Sequence, residues 1–93
     1  MSVSDQLSSE RRTQLRIEAK ELRTKIRSLG VKINNATGGD KQRLADEILK
    51  VGPELVGRCN QLVPHYQHVG DADSVRWYSA VASEARKIMR GEL

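Results

Sequence analysis

Residues 12–33 read RTQLRIEAKELRTKIRSLGVKI, and two lines of side chains run through them. Leu15, Ala19, Leu22, Ile26, Leu29 and Ile33 step by 4, 3, 4, 3 and 4. That spacing keeps apolar side chains on one edge of a helix for about five turns, the seam of a coiled coil. Beside it Arg12, Arg16, Lys20, Arg23 and Arg27 step by 4, 4, 3 and 4 with no acid among them. One helix therefore offers an apolar edge to a partner helix and, next to it, a cationic rail about 22 Å long.

The seam resumes downstream. Leu44, Ile48, Val51, Leu55, Cys59, Leu62 and Tyr66 step by 4, 3, 4, 4, 3 and 4. The two runs are joined by Asn34-Asn35-Ala36-Thr37-Gly38-Gly39-Asp40, whose Asn and Gly residues tolerate the left-handed backbone that ends a helix. A connection this short predicts antiparallel neighbours. Helix one is expected over about 5–33, with Ser4, Asp5, Ser8 or Ser9 as its cap. Glu21 and Lys25 support it as an i,i+4 pair, and Gly30 weakens its last turn by up to about 1 kcal/mol.

Helix two is expected over about 41–68, capped by Asp40. Proline removes a backbone donor and clashes with the preceding turn, so Gly52-Pro53 predicts a kink or a break. Val63-Pro64 is a second brake, with His65 to Gly70 as a frayed extension. Helix three is expected over about 72–90, capped by Asp71 or Asp73 and stopped by Gly91. Val75, Tyr78, Ala82, Ala85 and Met89 form its apolar line, with Trp77, Val81 and Ile88 alongside.

The fold expected is all-α and a single domain over 1–93: an antiparallel, coiled-coil-like helical hairpin plus a C-terminal helix, in a three- to four-helix bundle. Helices of roughly 24 residues span about 36 Å, more than one short third helix covers. A two-fold homodimer is therefore expected, with Trp77, Tyr78, Val81 and Ile88 at its interface.

Composition narrows the function. The chain of 93 residues has no Phe, one Trp and two Tyr, so Leu, Ile, Val and Ala do the packing. Charged residues make up 30% of it. Mean hydropathy is −0.58, and no run is long enough to cross a bilayer. Residues 1–10 lack the apolar stretch of a signal peptide, and Cys59 is the only cysteine. A cytoplasmic, reducing location is expected, in which Asn35-Ala36-Thr37 is not a glycosylation site. Net charge is +4, yet residues 10–33 alone hold eight basic and three acidic side chains. The basic excess is thus concentrated on helix one.

Candidate chemistry is sparse. His65, His68 and Cys59 could supply three zinc ligands from one segment, but no second cluster exists and no metal or other cofactor is expected. Thr37-Gly38-Gly39-Asp40-Lys41 lacks the spacing of a phosphate-cradling loop. No nucleophile, base and orienting group stand together, and a thin helical pair has little room for a dry pocket, so no enzyme is expected.

From Arg11 to Leu62 the chain resembles the N-terminal arm of seryl-tRNA synthetases. The likeness rests on Leu22, Lys25, Ile26 and Leu29 of basic helix one, the turn Gly38-Gly39-Asp40-Lys41, and Leu44, Glu47, Leu55 and Leu62 on the return helix. In that family the arm is an antiparallel coiled coil that grips the long variable arm of a tRNA by its backbone. No aminoacylation domain is present and residues 70–93 do not fit the arm, so charging activity is not implied. A looser similarity of plan is to the small all-helical dimers with which nodaviruses suppress RNA silencing, which lay long helices along double-stranded RNA.

Like charges at i,i+4 repel by about 0.2–0.5 kcal/mol per pair, so five cations in a row are a standing cost that a partner should offset. Helix turns rise 5.4 Å, close to the spacing of phosphates along an RNA strand, so each turn could give one cation to one phosphate. The function expected is binding of structured or double-stranded RNA by Arg12, Arg16, Lys20, Arg23 and Arg27, with little sequence specificity. The alternative is a protein-interaction module, an adaptor or small inhibitor, that uses the seam and the wide face of helix three while its rail meets an acidic partner. The plainer reading is that acids of helix two such as Asp46, Glu47 and Glu54, or acids of another subunit, pair with the rail.

Overall fold

The computed structural model describes residues 7–92 and, among them, consists of three α-helices: α1 (Ser9–Asn34), α2 (Gly38–Val69) and α3 (Ala72–Met89). Each begins and ends where its sequence offers a chemical reason. Ser8 caps α1 by accepting a hydrogen bond from the Arg11 amide at 3.0 Å. The other proposed caps Ser4 and Asp5 lie outside the described residues. At the far end the Asn35 side-chain amide donates to the Val31 carbonyl at 3.2 Å, closing one orphan acceptor.

α2 differs most from expectation. It starts at Gly38, whose φ of 60° lies in the left-handed region that glycine alone enters cheaply. Thr37 is its N-cap residue and makes no side-chain cap bond. Asp40, the expected cap, stands inside the first turn, where its charge suits the helix dipole and it pairs with Arg43 at 3.4 Å. The helix then runs unbroken for 32 residues through Pro53 and Pro64. Both prolines are exposed, while Val51, Leu55, Leu62 and Tyr66 bury the opposite stripe. Burial on that stripe outweighs the roughly 3 kcal/mol that an interior proline costs. Gly70, with φ of 77°, ends α2, and the Asp71 amide reaches back to the Tyr66 carbonyl at 2.9 Å. Asp71 then caps α3 by accepting from the Ser74 amide at 3.1 Å and the Ser74 hydroxyl at 2.7 Å.

Contacts between α1 and α2 pair their residues in opposite order. Arg12 meets His65, Glu18 meets Arg58 and Lys25 meets Glu47. The expected seam is buried here: Leu15, Ala19, Ile26 and Leu29 face Ile48, Val51, Leu55, Cys59 and Leu62, with Leu22, Ile33 and Leu44 partly buried at its margins. α3 returns along α2 from the turn at Gly70 until Met89 lies on Gly52, and it touches α1 over a shorter length. A three-helix body thus spans the C-terminal half of α2. Its N-terminal half is covered by α1 alone. The molecule measures 52 × 20 × 18 Å, the long axis being set by α2.

Candidate nucleic-acid interface

Arg16, Lys20, Arg23 and Arg27 each follow a seam residue by one position, about 100° around α1 from the seam, and on that flank they meet α3 or the groove it walls. α3 meets the rail with three different chemistries, and α2 supplies a fourth at Arg12. The Arg12 Nη1 group donates to His65 Nε2 at 3.4 Å. His65 is held below its usual imidazole value, first by desolvation and then by the charges of Arg12 and His68. Arg16 lies at the Tyr78 hydroxyl. Burial and neighbouring Tyr66 push that phenol up, and Arg16 pulls it part of the way back. Lys20 is exposed and has no ion pair among the described residues. The Arg23 guanidinium sits 5.5 Å from the centre of the Trp77 ring, a cation–π contact, and its Nε is buried without a hydrogen-bond partner. Arg27 Nε stands 3.4 Å from a Glu84 carboxylate oxygen.

The other flank of α1 is finished differently. There Glu18 accepts from Gln14 at 2.8 Å and from Arg58 Nε at 2.8 Å, and these two donors hold its carboxyl below the usual range. Lys25 pairs with Glu47 at 3.7 Å. Glu47, one of the acids expected on the rail, is therefore spent on a cation outside it. Asp46 accepts instead from Gln42 at 3.0 Å. Glu84 of α3 is the one carboxylate that pairs with a rail cation among the described residues.

Between α1 and α3 the rail opens into a groove of about 720 Å³, walled by Arg16, Ile17 and Lys20 on one side and by Ser74, Trp77 and Tyr78 on the other. Ile17 is 54% and Trp77 43% exposed, unusual for such large apolar side chains. The expected contact surface of helix three is otherwise absent. Tyr78, Val81 and Ile88 are only 7, 5 and 5% exposed, because α2 covers the wide apolar face of α3 within the same chain. Tyr78 stacks in parallel on Tyr66, ring centres 5.6 Å apart. Of the four residues only Trp77 faces outward.

Two further candidates fall into the core or onto the surface. Cys59 is fully buried, and burial pushes its thiol up to about 11, which leaves it unreactive. Among the described residues no group of three or more His, Cys, Asp and Glu side chains is placed to hold a metal ion. No described helix is long and apolar enough to cross a membrane. What the sequence did not signal is the partnership of rail and third helix. Glu84, Trp77 and Tyr78 reach Arg27, Arg23 and Arg16 only because α3 folds back at Gly70, and no local spacing encodes that register. Comparison with known proteins finds no family model, no curated protein and no solved structure that matches the chain.

Proposed function

We propose that this chain is a small, non-catalytic RNA-binding protein that contacts the backbone of structured or double-stranded RNA with the α3-facing side of α1. One observation carries the reading. Arg12, Arg16, Lys20 and Arg23 have no carboxylate partner among the described residues, whereas the opposite flank of the same helix is ion-paired. A row of cations left without acids is the arrangement a polyanion neutralises, and it reads charge and shape in preference to sequence. In this reading α1 and α2 form the coiled-coil-like hairpin that presents the rail, as in the tRNA-gripping arm that residues 11–62 resemble, and the protein works in the cytoplasm.

The test is a salt titration of binding to an RNA duplex. With Arg27 held by Glu84, four cations remain, and affinity should fall with salt at a log–log slope of about −3 to −4. Changing Arg12, Arg16 and Lys20 together to Gln should flatten the slope by about 2 to 3. A slope that does not respond to the triple change rejects the proposal.

A second reading is favoured by Ile17 and Trp77, which stand exposed in one groove beside Arg16 and Lys20. An acidic amphipathic helix of a partner protein would suit such a surface. Capture of acidic peptides with no retention on RNA would favour it.

We also propose a homodimer through the end of the molecule that α3 leaves bare, where Val31 and Leu49 are exposed. Light scattering at micromolar concentration that reports only the monomer mass removes that proposal.

A further inference from the structure

Trp77 is fixed in its exposed position from two directions. The Tyr78 ring meets it edge-on with centres 4.7 Å apart and planes at 88°, and the Arg23 guanidinium lies over it at 5.5 Å. Trp77 itself walls the groove, and Arg23 is only partly exposed. Arg23 Nε is buried without a hydrogen-bond partner, and its guanidinium packs on the ring. The result is an outward aromatic surface with Ile17 across the gap and two exposed cations, Arg16 and Lys20, one helix turn apart at its rim.

We infer that this groove seats an unpaired nucleobase stacked on Trp77, with its neighbouring phosphates on Arg16 and Lys20, so that the preferred ligand is an RNA duplex carrying a single-stranded extension. The inference rests on the RNA-binding reading and narrows it. A duplex hides the faces of its bases, so an outward aromatic gains nothing from paired RNA, but every unpaired base has a π-face to stack. The two cations rise about 6 Å along α1, near the spacing of successive phosphates on a strand. Asp73, the one carboxylate bordering the groove, is taken up by Arg76, so it does not repel a phosphate unshielded. A second copy of this chain is a poor occupant. A two-fold contact through the groove would bring the exposed cations Arg16 and Lys20 of both copies into one interface.

Trp77 is the only tryptophan, so its fluorescence reports the groove alone. Four probes decide the matter: a blunt RNA duplex, the same duplex with a short 3′ extension, that extension made abasic, and a glutamate-rich peptide. The extended duplex should bind about tenfold tighter than the blunt or abasic forms and should alone quench Trp77. Trp77→Leu should bring the extended-to-blunt ratio to about one, and Trp77→Phe should restore part of it. Lys20→Gln, at an exposed position that cannot endanger the core, should lower the same ratio. Blunt and extended duplexes that bind equally without quenching overturn the stacking inference and leave the RNA-binding reading standing. No retention of any RNA overturns both. Quenching by the peptide instead of RNA assigns the groove to a protein.

Discussion

Arg27 and Glu84 meet across α1 and α3, with Arg27 Nε 3.4 Å from the carboxylate, and this is the point at which the chain neutralises its own rail. The pair is half exposed, so it adds at most about 1 kcal/mol to stability. Its larger effect is to withhold one cation from a polyanion. Glu84→Gln should leave the melting temperature nearly unchanged while steepening the salt dependence of RNA binding by about one unit of slope. Isothermal titration across a salt series measures this. Weaker binding by the variant would mean that Arg27 acts only within the fold.

Ile26 is fully buried in the α1–α2 seam, in the second half of α1. Ile26→Asp places an unpaired carboxylate among Leu, Ile and Val side chains, a cost of several kcal/mol in a domain whose total stability is of order 5–10 kcal/mol. Helicity by circular dichroism should collapse. A variant that keeps its helicity shows the seam to be placed wrongly.

Gly52 is the position where α3 presses on α2, and a methyl group there would land on the Met89 side chain. Alanine gains about 1 kcal/mol of helix propensity and loses a similar amount in displacing a flexible thioether, so Gly52→Ala should be close to neutral. Gly52→Leu has no such balance and should destabilise by about 2–3 kcal/mol. Met89→Ala in the same chain should recover a large share of that loss. A double-mutant cycle by urea unfolding tests the coupling, and additive costs would refute it.

His65 faces Arg12 from α1 and His68 from its own helix, next to the stacked Tyr66 and Tyr78. Its folded value is depressed, so the folded state takes up a proton only at lower pH than the unfolded chain, which does so near pH 6.5. The contribution to stability is complete above that pH and declines as pH falls through it. Unfolding midpoints should therefore drop between pH 7.5 and about 5.5, and His65→Gln should flatten that interval. The carboxyls of Glu18, Asp71 and Glu92 are also depressed and act only at lower pH.

The parts of the fold legible in the sequence are those set by local spacing. Leu15, Ala19, Ile26 and Leu29 recur at helical intervals and are buried, and Asp71 sits at the head of an apolar period and caps it. What escaped was decided at long range. Pro53 reads locally as a breaker, yet neighbours on two helices hold α2 together through it. Tyr78, Val81 and Ile88 read as a surface for a partner because their face is wide, but α2 of the same chain uses it. The candidate site was half visible. The cations of α1 could be enumerated, but the aromatic and the carboxylate opposite them depend on where a third helix comes to rest.

α3 stops at Gly52, and this divides the molecule into a reinforced end and a bare one. Amides of α1 and α2 nearest residues 35–37 have only each other for shelter and should exchange with deuterium soonest, while those around Leu55 and Leu62 hold out until the whole chain opens. Any ligand or sister subunit that settles on the bare end would show itself first as slowed exchange there, ahead of any change at the reinforced end.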